Sequence, residues 1–208
     1  MSAPKYKLSY FDGMWIAEPA RYLLSYVKED FEDVRFNQEQ WDAMDKKDFP
    51  YGKVPVLEDT ENGLKLGQSL AIVRYLAKKF KLVGETDAEA AKCDEYADVF
   101  KDLLQEIYPL WSADEEKKVE IKAAFMEKAV PRYFSVIESD LKNSKGDYLI
   151  GKSLTWADII SAHFTELFQI FLTIDVLANY PTMKAHQQRV FKLDGIREWR
   201  AKRPATPY

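Results

Sequence analysis

Cysteine is almost missing: Cys93 is the only one in 208 residues. An intramolecular disulfide is therefore impossible, and no cysteine-based zinc cluster can form. Histidine is nearly as scarce, and His163 and His186 lie on separate helical stretches without a partner at metal-ligand spacing. No apolar run is long enough to span a bilayer, because Gln169 and Asp175 interrupt the most apolar region, Leu167–Ala178. The opening MSAPKYKLSYF lacks the apolar core of a secretory signal, so the cytosol is the expected compartment. Positive charge is not in excess either. A formal net charge of −4 and an isoelectric point near 5.4 argue against a general nucleic-acid binder. What remains is 47% hydrophobic, 14% aromatic and 31% charged, the make-up of a globular chain that can hold one or two compact domains.

Residues 5–11 alternate like a half-buried strand that ends at Asp12-Gly13. Ala17–Val27 shows helical spacing, with Pro19 tolerable in the first turn. Phe31–Phe36 reads as a second strand and Asn37–Lys47 as a short irregular helix. A third strand is expected at Val54–Leu57, then a tight turn at Glu61-Asn62-Gly63, a fourth strand at Leu64–Leu66, and a helix opening at Ser69. The order β-α-β-α-β-β-α predicts a mixed sheet with helices on both faces, ending near Phe80. Lys81–Asp87 is polar and contains glycine, as a linker would. From Ala88 the pattern is helical to the end: about Ala88–Tyr108, Glu115–Leu141 perturbed by Pro131, a loop Lys142–Ser153, Thr155–Leu172, Pro181–Lys192 and Gly195–Lys202. The expected organisation is an α/β domain over 1–80, a linker over 81–87 and an all-α domain over 88–208. Thr155-Trp156-Ala157-Asp158 fits a capping box, which makes Thr155 and Asp158 folding residues.

The most informative stretch is Tyr51–Tyr75. Pro55 inside a strand removes a ladder donor, which makes sense if the Val54–Pro55 bond is cis and turns the Val54 backbone toward a ligand. Ser69 at a helix start offers a hydroxyl, N–H groups and the positive dipole end, a suitable seat for a carboxylate. The bland alternative is an edge-strand proline and an ordinary serine cap. The run V-P-V-L, a hairpin, then Q-S-x-A-I-x-R-Y-L resembles the glutathione-binding half of the thioredoxin-like domain of cytosolic glutathione transferases. YKLSYFDG, FEDVRF, LIGKSLTWAD and WRAKRPATPY are similar to the sigma class, especially its invertebrate members, and the likeness extends over nearly the whole chain.

That resemblance implies a cytosolic homodimer that binds glutathione as co-substrate, needs no metal, nucleic acid or membrane, and adds the thiolate to hydrophobic electrophiles. The thiolate is the nucleophile, and a hydrogen-bond donor aimed at sulfur lowers the thiol pKa. Tyr10, at the end of the first strand, matches the family's donor. Trp41 matches the indole that holds the glycyl end, and Lys46 falls near a lysine that assists it, across an apparent one-residue insertion. Gly52 and Lys53 precede Val54 and Pro55, where the Val54 backbone pairs with the cysteinyl unit. Gln68 and Ser69 match the grip on the γ-glutamyl group, and Asp102 matches a residue that reaches the glutathione of the neighbouring subunit. The second substrate's pocket is expected between Gly13, Met14, Trp15 and Ile16 on one side and Tyr108, Leu110 and Trp111 on the other. Tyr51 occupies a place where some classes insert an aromatic key into the partner.

This chain departs from the pattern in two informative places. Ile16 stands where many sigma members have an arginine near the thiol, with Trp15 at a position usually small. Lys101 precedes Asp102 where metal-responsive prostaglandin synthases carry a second acid. Both weigh against a prostaglandin isomerase, which stays open beside a lipid hydroperoxide peroxidase and a non-enzymatic carrier or crystallin-like protein. No cysteine lies near the end of the first strand, where a cysteine-based transferase would need one. Cys93 itself has no basic neighbour pattern that marks it as reactive.

Overall fold

The computed structural model describes residues 4–144 and 147–206. Outside them lie the first three residues of the opening segment, two of the loop expected at Lys142–Ser153, and the last two of the WRAKRPATPY motif. In chain order the elements are β1 (Tyr6–Phe11), α1 (Glu18–Tyr26), β2 (Phe31–Phe36), α2 (Gln38–Ala43), β3 (Val56–Asp59), β4 (Leu64–Gly67), α3 (Ser69–Lys79), α4 (Asp87–Ile107), α5 (Glu115–Ala124), α6 (Val130–Asn143), α7 (Trp156–Leu172), α8 (Pro181–Lys192) and α9 (Ile196–Lys202). They form two compact units. One joins the residues up to Lys81 with Lys192–Tyr208, and the other is Leu82–Phe191. In the first unit α9, the last helix of the tail, packs on α1.

In the first unit the sheet order is β2-β1-β3-β4, with β1 parallel to β2 and antiparallel to β3, and β3 antiparallel to β4. Alternation along β1 sends Tyr6, Leu8 and Tyr10 to one face. On that face Tyr6 meets Phe80 just after α3, and Lys79 of α3 lies over its ring. The opposite face carries Phe11 and Phe36, which meet Trp41 of α2. Leu8, Leu23, Leu24, Val56, Leu57 and Leu76 are fully buried, each contributing about 1.5–3 kcal/mol of transfer free energy.

The hairpin between β3 and β4 turns where expected, at Glu61-Asn62-Gly63, but starts one residue earlier. Residues 60–63 make the turn, and Gly63 alone within it has positive φ (60°). The reason is Asp59, fully buried, whose carboxylate accepts from the backbone of Glu61 (3.1 Å) and Asn62 (3.3 Å). It also accepts from Asn62 Nδ2, Tyr75 and Lys79, which pins the turn to α3. Burial opposes its charge, but these donors outweigh that cost and hold the carboxyl well below the usual carboxylate range. Two further boundaries shift. β3 begins only at Val56, after Pro55, and α2 stops at Ala43, followed by 3₁₀ turns at Lys46–Asp48 and Pro50–Gly52.

The second unit is helical, as expected. Thr86 and Glu89 close a capping box on α4 that the sequence reading had not singled out. The helix expected over Glu115–Leu141 is divided by a π turn at Phe125–Ala129, ahead of Pro131, which has no N–H for the ladder. α7 carries the expected capping box. Asp158 accepts from the Thr155 backbone and hydroxyl (2.7 and 2.9 Å), from Leu149 N (2.7 Å) and at His186 Nε2 (2.8 Å). His186 thus has a structural partner. Cys93 is buried, and that burial pushes its thiol up to about 11, far from the range of a reactive cysteine.

Asp59→Ala is expected to lower unfolding free energy by about 2–3 kcal/mol, from the loss of charge-assisted bonds in a buried place. Because the folded carboxyl titrates below its unfolded value, near 3.9, this contribution is complete above that value. It is lost as pH falls through the lower folded one. Urea unfolding at pH 7 and pH 2.5 should show the gap between wild type and variant shrinking in acid.

Candidate functional site

The expected glutathione residues of the first unit sit on β1, on α2 and its following turns, and on the segment from the Pro50–Gly52 turn to the start of α3. Tyr10 closes the buried face of β1, 6% exposed, with its ring edge-on to Phe11 at 5.7 Å. Its register partner on β2 is Arg35. Trp41 is fixed from several sides. It stacks on Phe36 (5.5 Å between centroids) and meets Phe11 (5.8 Å) and Phe49 (5.0 Å) edge-on. Lys46 lies over its ring at 4.1 Å and donates to the carbonyls of Trp41 and Met44 (3.1 Å to the latter), so this lysine closes the end of α2.

The Val54–Pro55 bond is cis, as the sequence reading expected. Gly52 has φ 60°, which glycine adopts without steric cost, and Lys53 is extended and exposed. Exposed Tyr51 shares the positive φ (59°). At the head of α3 the structure refines the cap. Ser69 is the first helical residue, and Gln68 holds the cap position with φ 70° and ψ 112°. That pair lies outside the left-handed well, in a region that suits glycine. Gln68 makes no side-chain cap bond, and the first turn carries no acidic residue. The orphan N–H groups of the helix start and its positive dipole end therefore face the part of the chain where Gln68 and Ser69 sit, a seat for an anion.

The loop after Tyr10 is held by charges that the sequence reading missed. Gly13 O accepts from Arg21 Nη1 at 2.7 Å, and Arg21 also binds Glu18 (3.0 Å) and Asp33 (2.8 Å). Arg35 binds the other oxygen of Asp33 (2.7 Å) and reaches Asp12 (3.1 Å). The visible signal was an ionic pair at i, i+3 set on the apolar stripe of α1. Gly13, Met14 and Trp15 are buried and Ile16 half-buried; Trp15, at the position usually small, has φ 28°. In the second unit, Leu110 is buried, Tyr108 and Trp111 are exposed on the turn after α4, and Trp111 packs on Phe171 at 5.2 Å. Asp102 and Lys101 are exposed on α4. Among the described residues no cluster of histidine, cysteine or acids could hold a metal ion.

The strain at Gln68 generates a direct expectation. Gln68→Gly relieves the backbone and should hold or raise stability by up to about 1 kcal/mol, whereas Gln68→Ala should not. Paired thermal melts of the two variants check it.

Comparison with known proteins gives the same picture over both units. The family model for the glutathione S-transferase N-terminal domain matches residues 6–78, and the one for the C-terminal domain matches 101–203. Glutathione S-transferase 1 of Ascaris suum is 35% identical, with 99% of this chain and 100% of that protein covered. Among solved structures, prostaglandin synthase D of Nilaparvata lugens is 37% identical with a TM-score of 0.86, covering 97% of this chain and 100% of that one. Monomeric Na-GST-3 from the hookworm Necator americanus is 34% identical with a TM-score of 0.87, covering 98% and 99%. With both halves matched in order and near-complete coverage of these relatives, the chain belongs to the glutathione S-transferase family.

Proposed function

We propose that this protein is a sigma-like glutathione transferase that activates the glutathione thiol with Tyr10 and adds it to hydrophobic electrophiles. In this reading the γ-glutamyl carboxylate sits at the head of α3, against Gln68 and Ser69. The cysteinyl unit pairs with the Val54 backbone beside Pro55, next to Gly52 and Lys53, and the glycyl end meets the Trp41 indole. Lys46 acts there mainly by holding α2. The observation that carries the reading is Gln68, a non-glycine residue held at φ 70° on an uncapped helix start, since such outliers persist where a binding site needs them.

The Tyr10 hydroxyl donates to the sulfur and stabilises the thiolate, lowering the thiol pKa. The thiolate then attacks an electrophilic carbon. A C–S bond forms, and a leaving group departs or a neighbouring atom takes the electron pair and then a proton. Gly13, Met14, Trp15 and Ile16 supply apolar surface for the electrophile. A cytosolic homodimer, with Asp102 reaching the partner's glutathione, belongs to the same reading. Sizing in solution tests it, the more pointedly because one relative is described as monomeric.

The likeness to prostaglandin synthase D favours an isomerase as a second reading, against which Ile16 and Lys101 stand. Two variants test the site. Tyr10→Phe should lower the conjugation rate constant with an activated aryl halide about 10- to 100-fold at neutral pH, while glutathione affinity stays within a few-fold. Lost affinity at an unchanged rate would put Tyr10 in the wrong role. Ile16→Arg should lower the pKa of the bound thiol by about one unit. An unchanged or raised value would mean that residue 16 does not face the sulfur.

A further inference from the structure

The C-terminal segment reaches the loop after Tyr10 through buried ionic bonds. Trp199 Nε1 donates to Glu18 Oε1 at 2.8 Å, and Arg203 Nη1 donates to the same oxygen at 2.9 Å. The other oxygen of Glu18 accepts from Arg21 Nη1 at 3.0 Å, and that same nitrogen donates to Gly13 O at 2.7 Å. Glu18 and Arg21 are completely buried, and Trp199 is 7% exposed. Water cannot substitute for a lost partner at such depth, so these bonds must be kept together. Arg200 and Arg203 bind Tyr22 as well, one turn further along α1 (2.8 and 2.6 Å).

We infer that α9 and Arg203 set the position of the Gly13–Ile16 loop through Glu18 and Arg21, and so help to determine which electrophiles the enzyme accepts. The argument runs from local geometry to chemistry. The Arg21 guanidinium is rigid and planar and serves two acceptors from one nitrogen. A shift of Glu18 therefore moves Arg21, and Arg21 moves the Gly13 carbonyl. Met14, Trp15 and Ile16 follow within three residues, before the Met14 carbonyl accepts from Ala17 N and Glu18 N. The loop is thus tied at both ends to the helix that α9 clamps. Trp199 and Arg203 are positioning residues and touch no substrate. The specificity part of this inference rests on the proposed transferase function; the mechanical part does not.

Trp199→Phe keeps a ring against Phe31 and removes the Nε1–H donor together with part of the indole ring, and Arg203→Gln removes the charge. Hydrogen exchange on the apo protein, read by mass spectrometry, should show the amides of residues 12–18 exchanging about tenfold faster in each variant. The β3–β4 hairpin and α3 should stay unchanged. Arg203→Lys should restore part of the protection. In turnover assays KM for a bulky aryl electrophile should rise about three- to tenfold, or the ranking of two electrophiles should invert, with KM for glutathione within about twofold of wild type. Unaltered exchange over 12–18, or an equal rise across the whole first unit, would overturn the linkage. Faster loop exchange with unchanged electrophile kinetics would overturn the specificity claim. If wild-type protein shows no glutathione-dependent turnover, the functional reading fails, and the exchange result still decides the linkage.

Discussion

The Arg21 guanidinium is the constraint on which the first unit depends. It is wholly buried, and burying an ion costs several kcal/mol unless partners surround it. Glu18 and Asp33 both pair with it, Arg203 also binds Glu18, and Arg35 binds Asp33 and reaches on to Asp12. The result is an alternating chain of charges that joins the C-terminal segment, α1, β2 and the loop after β1. Removing Arg21 leaves the buried Glu18 and the part-buried Asp33 each short of a cation, and breaking buried pairs in this way costs about 3–5 kcal/mol. A purely apolar contact would hold these elements together but would not fix one orientation of the loop as sharply.

Much of the fold was legible because its signals are local. Alternation marked β1 and β2, periodicity marked the helices, and Thr155 with Asp158 marked the start of α7. The cis bond before Pro55 was legible too, since a proline in an apolar strand needs a reason. Signals that arise from distant partners were not. Nothing near Asp59 in the sequence shows that Lys79 and Tyr75 will meet it and reshape the turn. Likewise, the tail reads as one more helix of the second domain, and its contacts with α1, Trp199 and Arg203 on Glu18 and Arg200 on Tyr22, arise from distant partners. The resemblance marked Gln68 as a candidate, but its positive φ was not legible, because the sequence offers no glycine there. Lys46 shows the same limit: the resemblance implies a contact with the glycyl end, and nothing in the sequence shows that it also closes α2 over Trp41.

The proposed site combines two physical devices. In that reading an uncapped helix start and an indole packed among Phe11, Phe36 and Phe49 recognise the ends of a tripeptide. A phenol at the end of a buried strand, Tyr10, activates the thiol. Ile16 stands where the resemblance implies an arginine that reinforces the second device, so in the proposed reading the hydroxyl of Tyr10 supplies more of the stabilisation on its own. Trp15 and Met14 make the adjoining loop apolar and bulky.

An ultraviolet difference titration of glutathione bound to the purified wild-type protein tests the central claim most directly. If Tyr10 activates the thiol, a thiolate band should be present near neutral pH and should titrate away in acid with a pKa at least about one unit below that of the free thiol. Saturable binding with no thiolate band until the alkaline range would contradict the account and point to a carrier that keeps the binding platform without the chemistry.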